Sequence, residues 1–147
     1  MLPATPRPLA VRMVVAALAA LVAVTASIAL ASPAAADTAT DEARMYQLTN
    51  ESRAANGRGA LAYDGAASGV ARAWAVELAR SNNLRHNPNL VAQVDAQVTR
   101  SWTAIGENVG YAGGVDQMQQ AYMASAGHRN NILGNYNRVG VGAARGG

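Results

Sequence analysis

The chain carries two histidines among its 147 residues and no cysteine, so acid–base or metal chemistry has few places to reside. His128 sits within Gly127-His128-Arg129-Asn130-Asn131-Ile132-Leu133, and His86 within His86-Asn87-Pro88-Asn89-Leu90. Between them lies Gly106-Glu107-Asn108-Val109-Gly110, a carboxylate flanked by glycines. All three stretches read as connecting segments between periodic elements. Two imidazoles and one carboxylate can bind a divalent metal, Zn²⁺ or Ca²⁺, through His86 and His128 and leave a position open for water. A water so held could be polarised for hydrolysis, with His86, Glu107 and His128 as the catalytic set. The same groups can instead hydrogen-bond one another and pin a cleft with no metal.

Three neighbours are candidate ligand contacts: Asn108, Ser125 and Arg129. Asn108 can satisfy a turn through its amide. Ser125, three residues before His128, invites a nucleophile reading, which requires a base in reach and a third group to orient it. No strand-turn-helix elbow of the Gly-x-Ser-x-Gly kind surrounds it, so it reads as a serine that ends a helix. Arg129 would favour the neutral imidazole if it pointed inward; otherwise it faces solvent or an anion.

The elements that must position these residues follow from the pattern. Thr40 reads as an N-cap with Asp41 and Glu42 in the first turn, and Met45, Leu48, Ser52 and Ala55 repeat at helical spacing up to Asn56-Gly57. Leu61 and Tyr63 read as core anchors in a connector. Asp64 caps a second helix with Ala67, Val70, Ala71, Trp74 and Leu78 inward, and Ser81-Asn82-Asn83 ends it. Pro88 opens a short helix through Leu90, Val91 and Val94. The stretch from Trp102 to Tyr111 reads as a short strand or an extended loop. Asp116 caps a third substantial helix, with Val115, Met118, Ala121 and Tyr122 inward. A helical turn through Asn131-Ile132-Leu133 follows, then a strand from Arg138 to Ala143 and a turn at Arg145-Gly146-Gly147. Helices separated by few, short strands predict an α+β layer architecture.

The first third of the chain reads differently. Arg7 and Arg12 precede an uncharged run from Met13 to Ala31, and Ala34-Ala35-Ala36 supplies the small residues of a cleavage site. That order predicts a secretory signal over residues 1–36, cleaved after Ala36. The exit side offers a proline and a cleavage site rather than an anchor, so no stable membrane span is expected after cleavage. The mature part, 37–147, holds ten arginines, no lysine and nine acids. Its net charge of +1 and its lack of a basic patch interleaved with aromatics argue against nucleic acid as a partner. A secreted domain of this size without disulfides must hold itself by packing or by a ligand.

In order and spacing these pieces resemble the CAP superfamily, shared by cysteine-rich secretory proteins, antigen 5 and plant pathogenesis-related proteins, in its cysteine-free bacterial form. The resemblance runs over Asp41 to Gly142. It is carried by Leu48-Thr49-Asn50-Glu51-Ser52-Arg53, Ala71-Arg72-Ala73-Trp74-Ala75, His86-Asn87-Pro88, Gly106-Glu107-Asn108-Val109, Ser125 to Leu133, and Val139-Gly140-Val141-Gly142. It implies an α-β-α sandwich around a small, mainly antiparallel sheet, with a cleft in which His86, Glu107 and His128 take three positions. A further acidic position implied by the resemblance falls near Ser125, which is not an acid. The last strand expected after the Gly-rich turn is lacking, as in a C-terminally truncated domain with an exposed sheet edge. The secretory address, the incomplete acid set and the lack of a recognisable nucleophile point to a secreted, non-enzymatic binding module whose cleft takes a small apolar or envelope-derived ligand, and the resemblance implies lipids among such ligands. The alternative is a metal-assisted cleft hydrolase of protease or esterase type.

Overall fold

The computed structural model describes residues 33–146, with side chains from Asp37 onward. The expected signal peptide lies outside these residues except for its last four, which open the first helix. Helix α1 spans Pro33–Ala55. It therefore starts about two turns earlier than the expected cap at Thr40. Alanine is the strongest helix former, and a proline at the first position gives up only an N–H that would be unpaired anyway.

The inward face of α1 is also not the expected one. Met45, Leu48 and Ser52 are half-buried and Ala55 is exposed, whereas Glu42, Thr49 and Arg53 are buried. Glu42 and Arg53 go inside because each meets partners there. Glu42 takes a bidentate contact from Arg72, with Nε at 2.8 Å and Nη2 at 2.6 Å, and accepts the Ala143 N–H at 3.1 Å. Arg53 donates from Nε to the Gly59 carbonyl at 2.7 Å and from Nη1 to the carbonyls of Ile132 and Gly134. Glu42 is thus paired with an opposite charge, while the Arg53 charge is met by hydrogen bonds alone, which a buried charge requires at the least.

Strand β1, Ala62–Tyr63, leads into helix α2, Gly65–Ser81. Asp64 caps α2 as expected: its side chain accepts the Ala67 N–H at 3.0 Å, and its carboxyl is held below the ordinary value by that bond first and by Arg138 as well. Asn82 closes the helix in the left-handed conformation, which asparagine tolerates. Helix α3 spans Leu90–Gln97, α4 Val115–Ala124 and α5 Ala126–Leu133. The chain returns in β2, Arg138–Val139. Helix α1 packs against α4 and α5, α4 against α5, and α2 against α3.

The two strands pair in parallel, with Ala62 opposite Arg138 and Tyr63 opposite Val139. The expected antiparallel sheet is corrected: the pairing is parallel, which the long four-helix connection between the strands permits and a tight turn would not. Residues 102–111 take the extended-loop option and join no ladder. Of the expected strand 138–143 only the first two residues pair. The rest lies against α2, where a side chain on Gly140 would collide with the backbone of Ala67 and Ser68, and one on Gly142 with that of Ala71 and Arg72. Side chains then replace a neighbouring strand: the Ser68 hydroxyl accepts the Val141 N–H at 3.0 Å, and Glu42 accepts that of Ala143.

The buried hydrophobic core is Leu61, Val70, Ile132 and Val141. Leu61 is the anchor expected, but Tyr63 is half exposed and lies edge-on to Tyr46, with centroids 5.5 Å apart. A mixed α+β fold thus stands, with one helical cluster on α1 and its C-terminal strand segment closed against α2.

Candidate functional site

The two segments that carry His86 and Glu107 are fixed by amides rather than by regular structure. On the first, the Trp74 indole donates to the Arg85 carbonyl at 3.2 Å, and the Arg85 guanidinium sits 4.8 Å above the Trp74 ring. Asn87 is buried; its Oδ1 accepts the Asn89 N–H at 2.9 Å and its Nδ2 donates to Gln93 at 2.8 Å. That turn delivers His86 outward and aims the Asn87 N–H at Glu107.

On the second segment, Asn131 of α5 donates to the Glu107 carbonyl and to Asn108 Oδ1, both at 2.9 Å, while Asn108 Nδ2 donates to the His128 carbonyl at 3.1 Å. Gly110 lets this loop close onto α4: a Cβ there would stand 2.8 Å from Met118 Sδ and 3.2 Å from the Tyr122 hydroxyl. The loop bearing Glu107 is therefore stitched to α5 on one side and pressed on α4 on the other.

At the centre, His86 Nδ1 lies 2.5 Å from Glu107 Oε2, and the Asn87 N–H reaches both carboxylate oxygens at 3.1 and 3.3 Å. The Glu107 side chain is 16% exposed and that of His86 67%. The carboxylate is thus sheltered and its imidazole partner faces outward. Tyr122 links this pair to the second histidine. Its ring lies 4.8 Å from that of His128, and its hydroxyl is pushed up to about 12, by burial first and then by the Glu107 charge. Tyr122 consequently stays a neutral hydroxyl at any physiological pH.

The expected residues fare differently. His86 and Glu107 make direct contact. His128 lies in α5 and not on a loop; it reaches the pair only through Tyr122 and through its own carbonyl to Asn108. Among the described residues no three His, Cys, Asp or Glu side chains gather closely enough to hold a metal ion. The donor set therefore does not fit a Zn²⁺ or Ca²⁺ cage. Asn108 serves the loop. Ser125 joins α4 to α5, its N–H bonding back to Ala121 and its carbonyl accepting the Arg129 N–H. Arg129 is half-buried and donates from Nη1 to the Met123 carbonyl at 2.7 Å, which satisfies the end of α4. Asn87, Tyr122 and Asn131 were not singled out for the site from sequence. Their signal is positional, since Asn87 follows His86 directly, and Asn131 and Tyr122 lie within six residues of His128.

An α+β domain with an outward imidazole backed by a sheltered carboxylate defines the class, and the comparisons place it. The CAP family model, cysteine-rich secretory protein family, matches residues 46–147. The chain belongs to the CAP family. It shares its fold with a cysteine-rich secretory protein from Staphylococcus aureus, at a TM-score of 0.64 and 23% identity over 74% of this chain. The match spans 36% of that protein's length. No curated protein matches the chain.

Proposed function

We propose that this CAP domain is a secreted, non-enzymatic binding module that takes a small apolar or envelope-derived ligand beside His86 and Glu107. One observation carries the reading. Six large hydrophobic side chains are exposed among the described residues, and four of them, Leu84, Val91, Trp102 and Tyr111, fall on the stretch that begins just before His86 and ends just after Glu107. Tyr111 is 84% exposed. Leu84, Trp102 and Tyr111 stand on loops and Val91 on α3, and apolar side chains held open to water favour an apolar partner. The His86 ring would then supply the polar contact that orients it. The secretory address rests on the order of residues in 1–36 and on the family; no helix among the described residues is long and apolar enough to cross a membrane.

A second reading, a cleft hydrolase, is favoured by the His86–Glu107 contact itself. A histidine whose Nδ1 is held by a carboxylate presents its other nitrogen as a base. With no metal cage, such an enzyme would have to act on water through His86 alone, and Ser125 is a helix junction. The two readings separate in one experiment. A fluorescent fatty acid that brightens in apolar surroundings is expected to bind saturably, and the Trp102→Ser, Tyr111→Ser double variant to weaken it about tenfold or more. Undiminished binding by that variant refutes the first reading. Hydrolysis of a chromogenic ester that vanishes in the His86→Ala, His128→Ala variant, with the circular dichroism spectrum intact, establishes the second.

A further inference from the structure

Away from His86, the turn that follows α1 and the turn that precedes β2 enclose an open depression of about 350 Å³, lined among others by Arg53, Arg58, Gly59, Asn135 and Asn137. That is at the lower end of the roughly 300–1,000 Å³ of small-ligand sites. Its chemistry is one-sided. Arg53 is 3% exposed, and the groups that meet its Nε and Nη1 are three carbonyls, which satisfy hydrogen bonds but bring no negative charge. Its Nη2 has no protein acceptor among the described residues. Burial lowers the proton affinity of Arg53, and the charge of Arg58 lowers it further, so the second cation acts on the first. Every ion pair among the described residues uses other arginines or His86, and no acid lines the depression. Asn135 and Asn137, both polar and uncharged, also line it.

We propose that this depression is an anion pocket that takes one oxyanion group, a carboxylate or a phosphate, of a small polar ligand. Arg53 is the fixed member, locked by its carbonyls before any ligand arrives. Arg58 is the exposed one, in no ion pair among the described residues, and meets the anion from the solvent side. A guanidinium already held in place spends little conformational entropy in binding, and two cations left unopposed gain most from one anion. The sequence alone hides the pocket, because Arg53 and Arg58 flank an Asn-Gly turn that reads as a helix stop.

The test uses the whole protein and thermal unfolding. Inorganic phosphate, titrated against chloride at matched ionic strength, is expected to raise the melting temperature saturably. Arg58→Gln is expected to shift half-saturation about tenfold or more, the loss of a charge-assisted contact. Arg100→Gln, an exposed arginine outside the pocket, removes the same charge and is expected to leave the titration unchanged. Acetate in a parallel titration tells a carboxylate ligand from a phosphate one. A wild-type protein with no saturable response to either anion overturns the proposal. So does an Arg58→Gln protein that responds as the wild type, or an Arg100→Gln protein that loses as much. The melting temperature of each variant in chloride alone shows that the fold is kept.

Discussion

Glu42→Gln tests whether a buried carboxylate joins α1, α2 and the segment after β2. The carboxylate accepts two bonds from Arg72 and one from the Ala143 N–H. Glutamine keeps one oxygen and the shape, but it loses the charge and turns a donor toward Arg72. Bonds to a charged group contribute about 1.5–3 kcal/mol each, and breaking a fully buried pair costs about 3–5 kcal/mol. The Arg72 side chain is 49% exposed and can return to water, which lowers the cost. We therefore expect a destabilisation of about 2 kcal/mol near neutral pH after that screening. The pH dependence makes the test specific. Burial raises the Glu42 pKa, but the Arg72 bonds, the Ala143 N–H and the Arg72 charge outweigh it, so the native value lies below the ordinary 4.5. With the native value the lower one, the stabilisation is complete above the unfolded value and is lost as pH falls through the native one. The gap between wild type and Glu42→Gln should thus narrow on acidification below 4.5, while the share from Asp64, also depressed, is common to both proteins and cancels. Urea unfolding of the two proteins at a series of pH values reads this directly. A gap that is already absent at neutral pH, or one that stays constant into acid, refutes the reasoning.

Two further outcomes follow from contacts at the site and behind it. Asn131→Ala removes the bonds to the Glu107 carbonyl and to Asn108, and should cost about 2 kcal/mol at roughly 1 kcal/mol per neutral bond. Amide hydrogen exchange should quicken across residues 106–110 in that variant, and unchanged protection there would show that the loop is held by something else. Gly142→Ala sets a methyl group against the α2 backbone at Ala71 and Arg72, which cannot yield as a side chain would. It should lower stability by roughly 3 kcal/mol, as overpacking does, and a urea midpoint within error of wild type would mean that the segment does not lie on α2.

What the sequence made legible was chemistry with a local rule behind it. Asp64 as a cap, Asn82 as a stop and Leu61 as an anchor each follow from a residue acting on its own few neighbours. The residues that carry the family resemblance marked His86 and Glu107, and the structure brings those two into contact. Three features were not legible, for related reasons. The inward face of α1 was misplaced because apolar periodicity counts Glu42 and Arg53 as surface, and only distant partners on α2 and around α5 make their burial favourable. Pairing in parallel was not legible because strands of two residues carry no alternation to read. The placement of His128 was missed because Ala126-Gly127 looks like the end of a helix, whereas the Ser125 carbonyl simply starts the next one at once.

A domain without disulfides keeps its loop site in order largely through hydrogen-bonded polar groups. Only four large hydrophobic side chains are buried among the described residues, which is little apolar surface for a fold of this size. Polar groups therefore share the task of fixing the elements: Arg53 ties α1 to the end of α5, Glu42 and Arg72 tie α1 to α2, and Asn131 ties α5 to the Glu107 loop. The pins closest to the site, Asn87, Asn108 and Asn131, are neutral amides that hold their geometry at any pH. The Glu107 loop is thus set in place by groups that do not titrate, and the Glu107 carboxylate in turn holds the His86 ring. A ligand that meets His86 meets a ring whose position was decided before binding, and its affinity then reports the contacts it makes rather than the cost of ordering the loop.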